Sequence, residues 1–170
     1  YDIVFFHQSL HHFNNVEKLI TTKILDCLKH NGKVVINEYV GANRLQFPKN
    51  QIKSINKGLK IIPKKYRTRF KTGQVKNNFY GSGIIRMILA DPSECVDSAN
   101  ILPCLHKYFY PLVEKYYGGN IVMNVLKDIS HHFIKTDEEK EKILDELFQF
   151  EDNYLKSNKS DFVFGVFQKK

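Results

Sequence analysis

The apolar positions change period several times along the chain, and each change marks an element. Ile3, Val4, Phe5 and Phe6 form an unbroken apolar run, too short for a helix and typical of a strand covered on both faces. A polar, histidine-rich turn follows from His7 to His12, and Asn14 and Asn15 offer capping side chains ahead of a helix. In "NVEKLITTKILDCLKHNG" the residues Val16, Leu19, Ile20, Ile24, Leu25 and Leu28 recur at the three-four spacing of an amphipathic helix. Basic residues in its last turn suit the helix dipole, and Gly32 is the expected left-handed cap. Val34, Val35 and Ile36 then form a second short buried strand, ending in polar Asn37, Glu38 and Tyr39. The first 41 residues therefore predict strand, helix, strand, a right-handed parallel βαβ unit.

Beyond Gly41 the pattern loosens. "FPKNQIKSINKGLKIIPKKYR" predicts a helix that starts near Pro48 and is stopped by Pro63. "KKYRTRFKTGQVKNNFYGSG" is basic, polar and punctuated by glycine, a loop of about twenty residues. Asp91 followed by Pro92 reads as the capped start of a helix running toward Phe109, with Pro103 marking a break or a second start. "YPLVEKYYGG" reads as a strand ending at a glycine turn, and "DFVFGVFQKK" as a final strand. Between them "NIVMNVLKDISHHF" and "TDEEKEKILDELFQFEDNYLKS" read as helices, the second opened by Thr136 with acidic residues in its first turn. The alternation of strands and helices gives an α/β fold for residues 1–170, with 42–92 as an inserted region after the second strand.

Composition narrows the classes. The chain has 26 Lys and Arg against 18 Asp and Glu, a formal charge of +8. That balance fits an anionic partner, a larger protein with a compensating acidic part, or a lysine-rich composition without functional content; the dispersal of the charge favours the last two. Cys27, Cys95 and Cys104 are an odd count without a C-x-x-C pair; each falls in a helix-like stretch as a small buried hydrophobe, which points to a reducing compartment. No apolar stretch approaches the roughly 18 residues of a membrane span, and the first residues lack a signal peptide's basic flank. The expected location is cytoplasmic.

In open α/β sheets, ligands bind outside the carboxyl ends of the strands. Two polar clusters lie there: His7, Gln8, Ser9, His11 and His12 after the first strand, and Glu38, Tyr39 and Asn43 after the second. Parallel strands end on one side, so both clusters should face one crevice. No metal-ligand set is read from the spacing; His131 and His132 in "DISHHF" fit a helix end.

The segments "YDIVFFHQSLHHFNN" and "LKHNGKVVINEYVG", with a helix between them, resemble the fourth strand, following helix and fifth strand of class I S-adenosylmethionine-dependent methyltransferases. Members carry a D-x-V strand followed by an "lhH" turn, and an "L-k-p-G-G" turn leading into the next strand. Here His30 and Asn31 replace the usual Pro and Gly, while Gly32 is kept. The close match covers about a quarter of the chain. The resemblance implies a Rossmann-like sheet equivalent to the family's strands 4 to 7, whose last two strands form a hairpin with the final strand inserted antiparallel. It also implies the C-terminal part of a methyltransferase domain, because the family's glycine-rich turn and ribose-binding acidic residue belong to earlier strands. "YGSGIIR" is no substitute for that turn: no apolar strand precedes it, and it reads as a loop leading into a helix.

By the same resemblance, Phe6, His7 and Gln8 meet the methionine end of S-adenosylmethionine, and His12 aligns with the histidine of "lhH" at the junction of cofactor and acceptor. His11 is expected to point away. Glu38 and Tyr39 border the acceptor, with Asn43, and Arg44 and Tyr80 are further acceptor-site candidates in the inserted region. His12 or Glu38 would supply a base if one is used; each could instead only cap a helix. The implied activity is methyl transfer to oxygen or nitrogen of a small molecule, the segment after Gly41 serving as a lid.

The alternative is a noncatalytic basic module with a Rossmann-like sheet, binding an anionic ligand or nucleic acid. Lys64, Lys65, Arg67, Arg69 and Lys71, interleaved with Tyr66 and Phe70, would carry that role. A solvated loop is the favoured reading of this run, so nucleic acid is disfavoured as a partner. A nicotinamide-type enzyme is disfavoured by the "lhH" turn. An open edge at Ile3 to Phe6 could pair with a second copy as a homodimer.

Overall fold

In the computed structural model, which describes residues 1–170, four strands make one mixed sheet: β1 (Ile3–His7), β2 (Lys33–Tyr39), β3 (Phe109–Gly118) and β4 (Phe162–Lys169). Their order across the sheet is β1-β2-β4-β3. β1 runs parallel to β2, from Ile3 opposite Lys33 to His7 opposite Asn37, and β4 runs antiparallel to β2. The last strand in sequence therefore lies inside the sheet, between β2 and β3. Gly165 of β4 faces Ile36, and a Cβ there would collide with the Phe167 ring.

The helices are α1 (Val16–Leu19), α2 (Leu25–Cys27), α3 (Lys49–Ile61), α4 (Ile84–Ala90), α5 (Ile101–Tyr108), α6 (Val122–Leu126) and α7 (Glu138–Leu155). A π-helical turn over Ile20–Ile24 joins α1 to α2, so residues 16–27 make one continuous rod. Thr21 and Thr22 donate their hydroxyls to the carbonyls of Glu17 and Lys18, the kind of side-chain intrusion that loosens a helical ladder. None of these helices is long and apolar enough to cross a membrane.

The chain divides into two compact units, the first formed by residues 1–46, 82–117 and 160–170, the second by 47–81 and 118–159. In the first, Val16, Ile20 and Ile24 of the rod and Ile101 and Leu105 of α5 pack on Val34, Ile36, Val163 and Phe167 of the sheet. Val4 and Phe6 turn to this same face. The opposite face differs from the expectation of a strand covered on both sides: Ile3 and Phe5 remain 58% and 59% exposed. β1 thus alternates exposed with half-buried residues, and it forms one edge of the sheet.

In the second unit Ile55 and Leu59 of α3 pack against Ile121, Val125 and Leu147, distant in sequence and neighbours only after folding. Gly58 permits the close approach, since a Cβ there would stand 2.8 Å from Ile121 Cγ2. The stretch 42–92 is thereby shared between the units rather than folding as one insertion: 47–81 belongs with 118–159. The basic loop is tied down as well. Thr68 bridges to Val75, and Lys76 is buried with its ammonium donating to the carbonyls of Asn124, Val125 and Lys127 at 2.7, 3.0 and 2.7 Å.

Several local expectations are corrected. Gly32 does not take a left-handed cap; the rod ends in an extended residue at Leu28, and a Cβ at Gly32 would crowd Leu28 Cδ2 at 2.9 Å and the Lys29 carbonyl oxygen at 3.0 Å. No helix starts at Asp91: turns occupy 92–97, and α5 begins at Ile101, placing Pro103 in its first turn where a missing N–H is harmless. Cys95 accordingly sits in a turn with φ 49° rather than in a helix. α7 is capped by Asp137, which accepts from the Lys140 N–H at 3.0 Å, not by Thr136. "NIVMNVLKDISHHF" breaks at Asp128, whose φ is 70°, into α6 and a 3-10 turn over Ser130–Phe133.

Candidate functional site

At the carboxyl end of β1 the chain reverses through Gln8, whose φ of 49° is left-handed, into a 3-10 turn over Leu10–His12. Glu38, from the end of β2, holds that turn. Its Oε1 accepts the N–H groups of Ser9 at 2.6 Å and Leu10 at 2.7 Å, and its Oε2 pairs with His11 Nδ1 at 2.7 Å. Glu38 is wholly buried and His11 nearly so. A carboxylate only accepts, so the His11 Nδ1 carries the proton and the ring presents Nε2 outward from the pair.

A second turn meets the first from 81 residues further along the chain, where His12 Nδ1 lies 3.0 Å from Ser93 Oγ. The Ser93 hydroxyl donates its one proton to Asp91 Oδ1 at 2.6 Å, so toward His12 it can only accept. His12 is thereby also protonated at Nδ1, with Nε2 open. The Ser93 hydroxyl and N–H, and then His12 nearby, hold the Asp91 carboxyl below the usual carboxylate range. The two Nε2 atoms face one carboxylate: His11 Nε2 is 4.0 Å from Glu94 Oε1, and His12 Nε2 is 3.7 Å from Glu94 Oε2. Arg44 steadies this turn, donating Nη1 to the Pro92 carbonyl at 2.6 Å and its own N–H to the Cys95 carbonyl at 2.6 Å. Val96 N–H returns to the His11 carbonyl at 3.2 Å. Burial, followed by the Glu94 carboxylate, pushes the Cys95 thiol far up, so it stays protonated.

The other expected site residues are placed as follows. Phe6 packs toward the core, edge-on to Phe13. His7 is exposed, its Nδ1 3.1 Å from Asn37 Nδ2, and the Tyr117 hydroxyl donates to Asn37 Oδ1 at 2.5 Å. Gln8 is exposed, its N–H bonded to the Asn37 carbonyl at 2.9 Å. His12 is about one-third exposed. Glu38 differs from the expectation of a base: with no exposure and both oxygens engaged it cannot reach an acceptor, and it positions His11 instead. Tyr39 also turns inward. Its hydroxyl donates to the Ala42 carbonyl at 3.0 Å, its ring stands edge-on to Phe162, and burial drives its ionisation far above the ordinary range. Asn43 Oδ1 accepts from Ala99 N–H at 2.9 Å, and Arg44 is spent on the 92–95 turn. Tyr80 lies in the second unit, exposed, accepting from Asn78 Nδ2 at 3.2 Å.

His11 is the principal reversal, since it points into the site rather than away. Ser93 and Glu94 escape a reading of sequence because "DPSE" has the form of a helix cap, and only folding brings it to the histidines. In the second unit the basic run is largely engaged: Lys65 pairs with Glu139 at 2.7 Å, Arg69 with Asp128 at 2.8 Å, and Arg67 donates to the Ile62 carbonyl at 2.5 Å. No protein-family model and no curated protein matches this chain.

Proposed function

We propose that this chain carries the carboxyl-terminal part of an S-adenosylmethionine-dependent methyltransferase domain acting on oxygen or nitrogen of a small-molecule acceptor. The observation that carries the reading is the strand order β1-β2-β4-β3, with the last strand inserted antiparallel beside β2. The resemblance implies a final strand inserted antiparallel in this manner after a parallel pair ending in the histidine turn; α6 and α7 stand between β3 and β4 in the chain. The step from topology to activity is one of fold analogy.

S-adenosylmethionine supplies an electrophilic methyl group when bound. The exposed side chains of His7 and Gln8, beside Asn37, suit the polar methionine end of that cofactor, and Asn37 and Tyr117 hold the His7 ring in place. The open Nε2 of His12 is the proton acceptor for an acceptor hydroxyl or amine, its tautomer fixed by Ser93. Glu38 and His11 shape the turn that carries His12 and touch no substrate. The rest of the demand is alignment and exclusion of water. The reading as a basic binding module is weakened by the engagement of Lys65, Arg67 and Arg69 within the second unit.

The test is calorimetric titration with S-adenosylmethionine of the whole reading frame that encodes this chain. Micromolar binding is expected, with a strand, a G-x-G turn and an acidic residue about 20 positions later encoded before Tyr1. Residues 1–170 alone are expected to bind far more weakly. A whole frame that neither encodes that pattern nor binds the cofactor overturns the proposal.

A further inference from the structure

We propose that His11, His12 and Glu94 form a site for a divalent transition-metal ion of the zinc type. The proposal rests on the geometry of the first unit alone and does not require methyl transfer.

The ligand atoms of these three side chains all lie within 4.8 Å of one another. The carboxylate stands 4.0 and 3.7 Å from the two Nε2 atoms, beyond hydrogen-bond reach but right for an ion between them. Bonds of about 2.1 Å at a tetrahedral centre separate two ligands by about 3.4 Å, so closure needs movements of under about 1 Å at each side chain. Both rings are already held in the ligating tautomer. Glu38 takes the Nδ1 proton of His11, and Ser93, itself held by Asp91, takes that of His12. Such outer partners, a carboxylate above all, are what fix ring orientation and raise basicity in histidine-bound metal sites.

Two neutral imidazoles and one carboxylate suit zinc and its transition-metal neighbours, whereas calcium and magnesium favour all-oxygen shells. The buried Cys95 thiol donates to Glu94 Oε1 at 3.2 Å and so supports that carboxylate from the neighbouring residue. Three protein ligands leave a fourth position open, and the partial exposure of His12 and Glu94 gives an ion a way in. The support is preorganised: Arg44 binds the carbonyls of Pro92 and Glu94, and Val96 ties this turn to His11. An ion would take the same His12 lone pair that serves as proton acceptor, so the two uses exclude each other.

The experiment is competition with a zinc-binding dye on the 170-residue chain, with cobalt absorption as a second readout. One ion per chain at micromolar or tighter affinity is expected. Glu94→Gln and His12→Gln should each weaken it at least tenfold, and Glu38→Gln by about 10–100-fold, because a glutamine amide facing Nδ1 moves the His11 proton onto Nε2. The pair His131→Gln with His132→Gln, in the second unit, should leave affinity unchanged. Circular dichroism of each variant separates loss of ligands from loss of fold, and Glu94→Gln, on a partly exposed side chain, is the decisive variant. No uptake by the folded chain, uptake indifferent to Glu94→Gln and His12→Gln, or uptake abolished by the His131 and His132 pair would each overturn the proposal.

Discussion

Replacing Glu38 separates its charge from its shape. In Glu38→Ala three donors lose their acceptor at once: the N–H groups of Ser9 and Leu10 and the Nδ1 proton of His11. A buried donor left unmatched costs about 1–3 kcal/mol, toward the upper end where the lost acceptor is charged. The three bonds converge on one carboxylate and do not add independently, so we expect a loss of about 3–5 kcal/mol. Glu38→Gln keeps one carbonyl oxygen where Oε1 sits, so both N–H groups stay satisfied. It replaces charge-assisted bonds with neutral ones of about half the strength and reverses the His11 tautomer, an expected loss of about 1–2 kcal/mol. The chain has no Trp, so urea unfolding is best followed by far-ultraviolet circular dichroism, reading the midpoint at constant slope. The reasoning fails if Glu38→Ala lies within about 1 kcal/mol of the parent, or if Glu38→Gln is as damaging as Glu38→Ala.

Two further predictions concern the second unit. Gly58→Ala gains about 1 kcal/mol of helix propensity. It also drives a Cβ to 2.8 Å from Ile121 Cγ2 and 3.3 Å from Leu147 Cδ1. Overpacking of about 1–3 kcal/mol wins, so net destabilisation is expected in the same urea assay, and a stabilised variant would contradict the packing described. Burial pushes the Lys76 ammonium down to about 8 from 10.5. Between those values the unfolded chain binds the proton that the folded one has lost, so this group adds stability as pH rises, by up to about 1.4 kcal/mol per pH unit. The parent should therefore gain on Lys76→Gln between pH 7.5 and 9.5, whereas parallel profiles would show that three carbonyls offset the burial.

Elements whose signal is local were legible from sequence. The run Ile3–Phe6, the three-four repeat from Val16 to Leu28 and the alternation in β4 each carry their period within a few residues. Where two short signals overlapped, tertiary contacts decided. Asp91 and Pro92 have the form of a helix start, yet Asp91 is spent on Ser93, and the segment becomes a turn facing the histidines. Thr136 and Asp137 are adjacent cap candidates, and the backbone chose Asp137.

The sequence by itself determined that this is an α/β chain with polar residues gathered at the carboxyl ends of β1 and β2, because strand period and turn chemistry are local properties. Tertiary structure alone decided that residues 47–81 pack with 118–159 and that His11 faces inward onto Glu38. It also brought Glu94 to within 4.0 Å of both histidines, across 82 residues of chain. Such pairings are fixed by which surfaces bury each other and which buried charges find partners, and neither is written in the spacing of neighbouring residues.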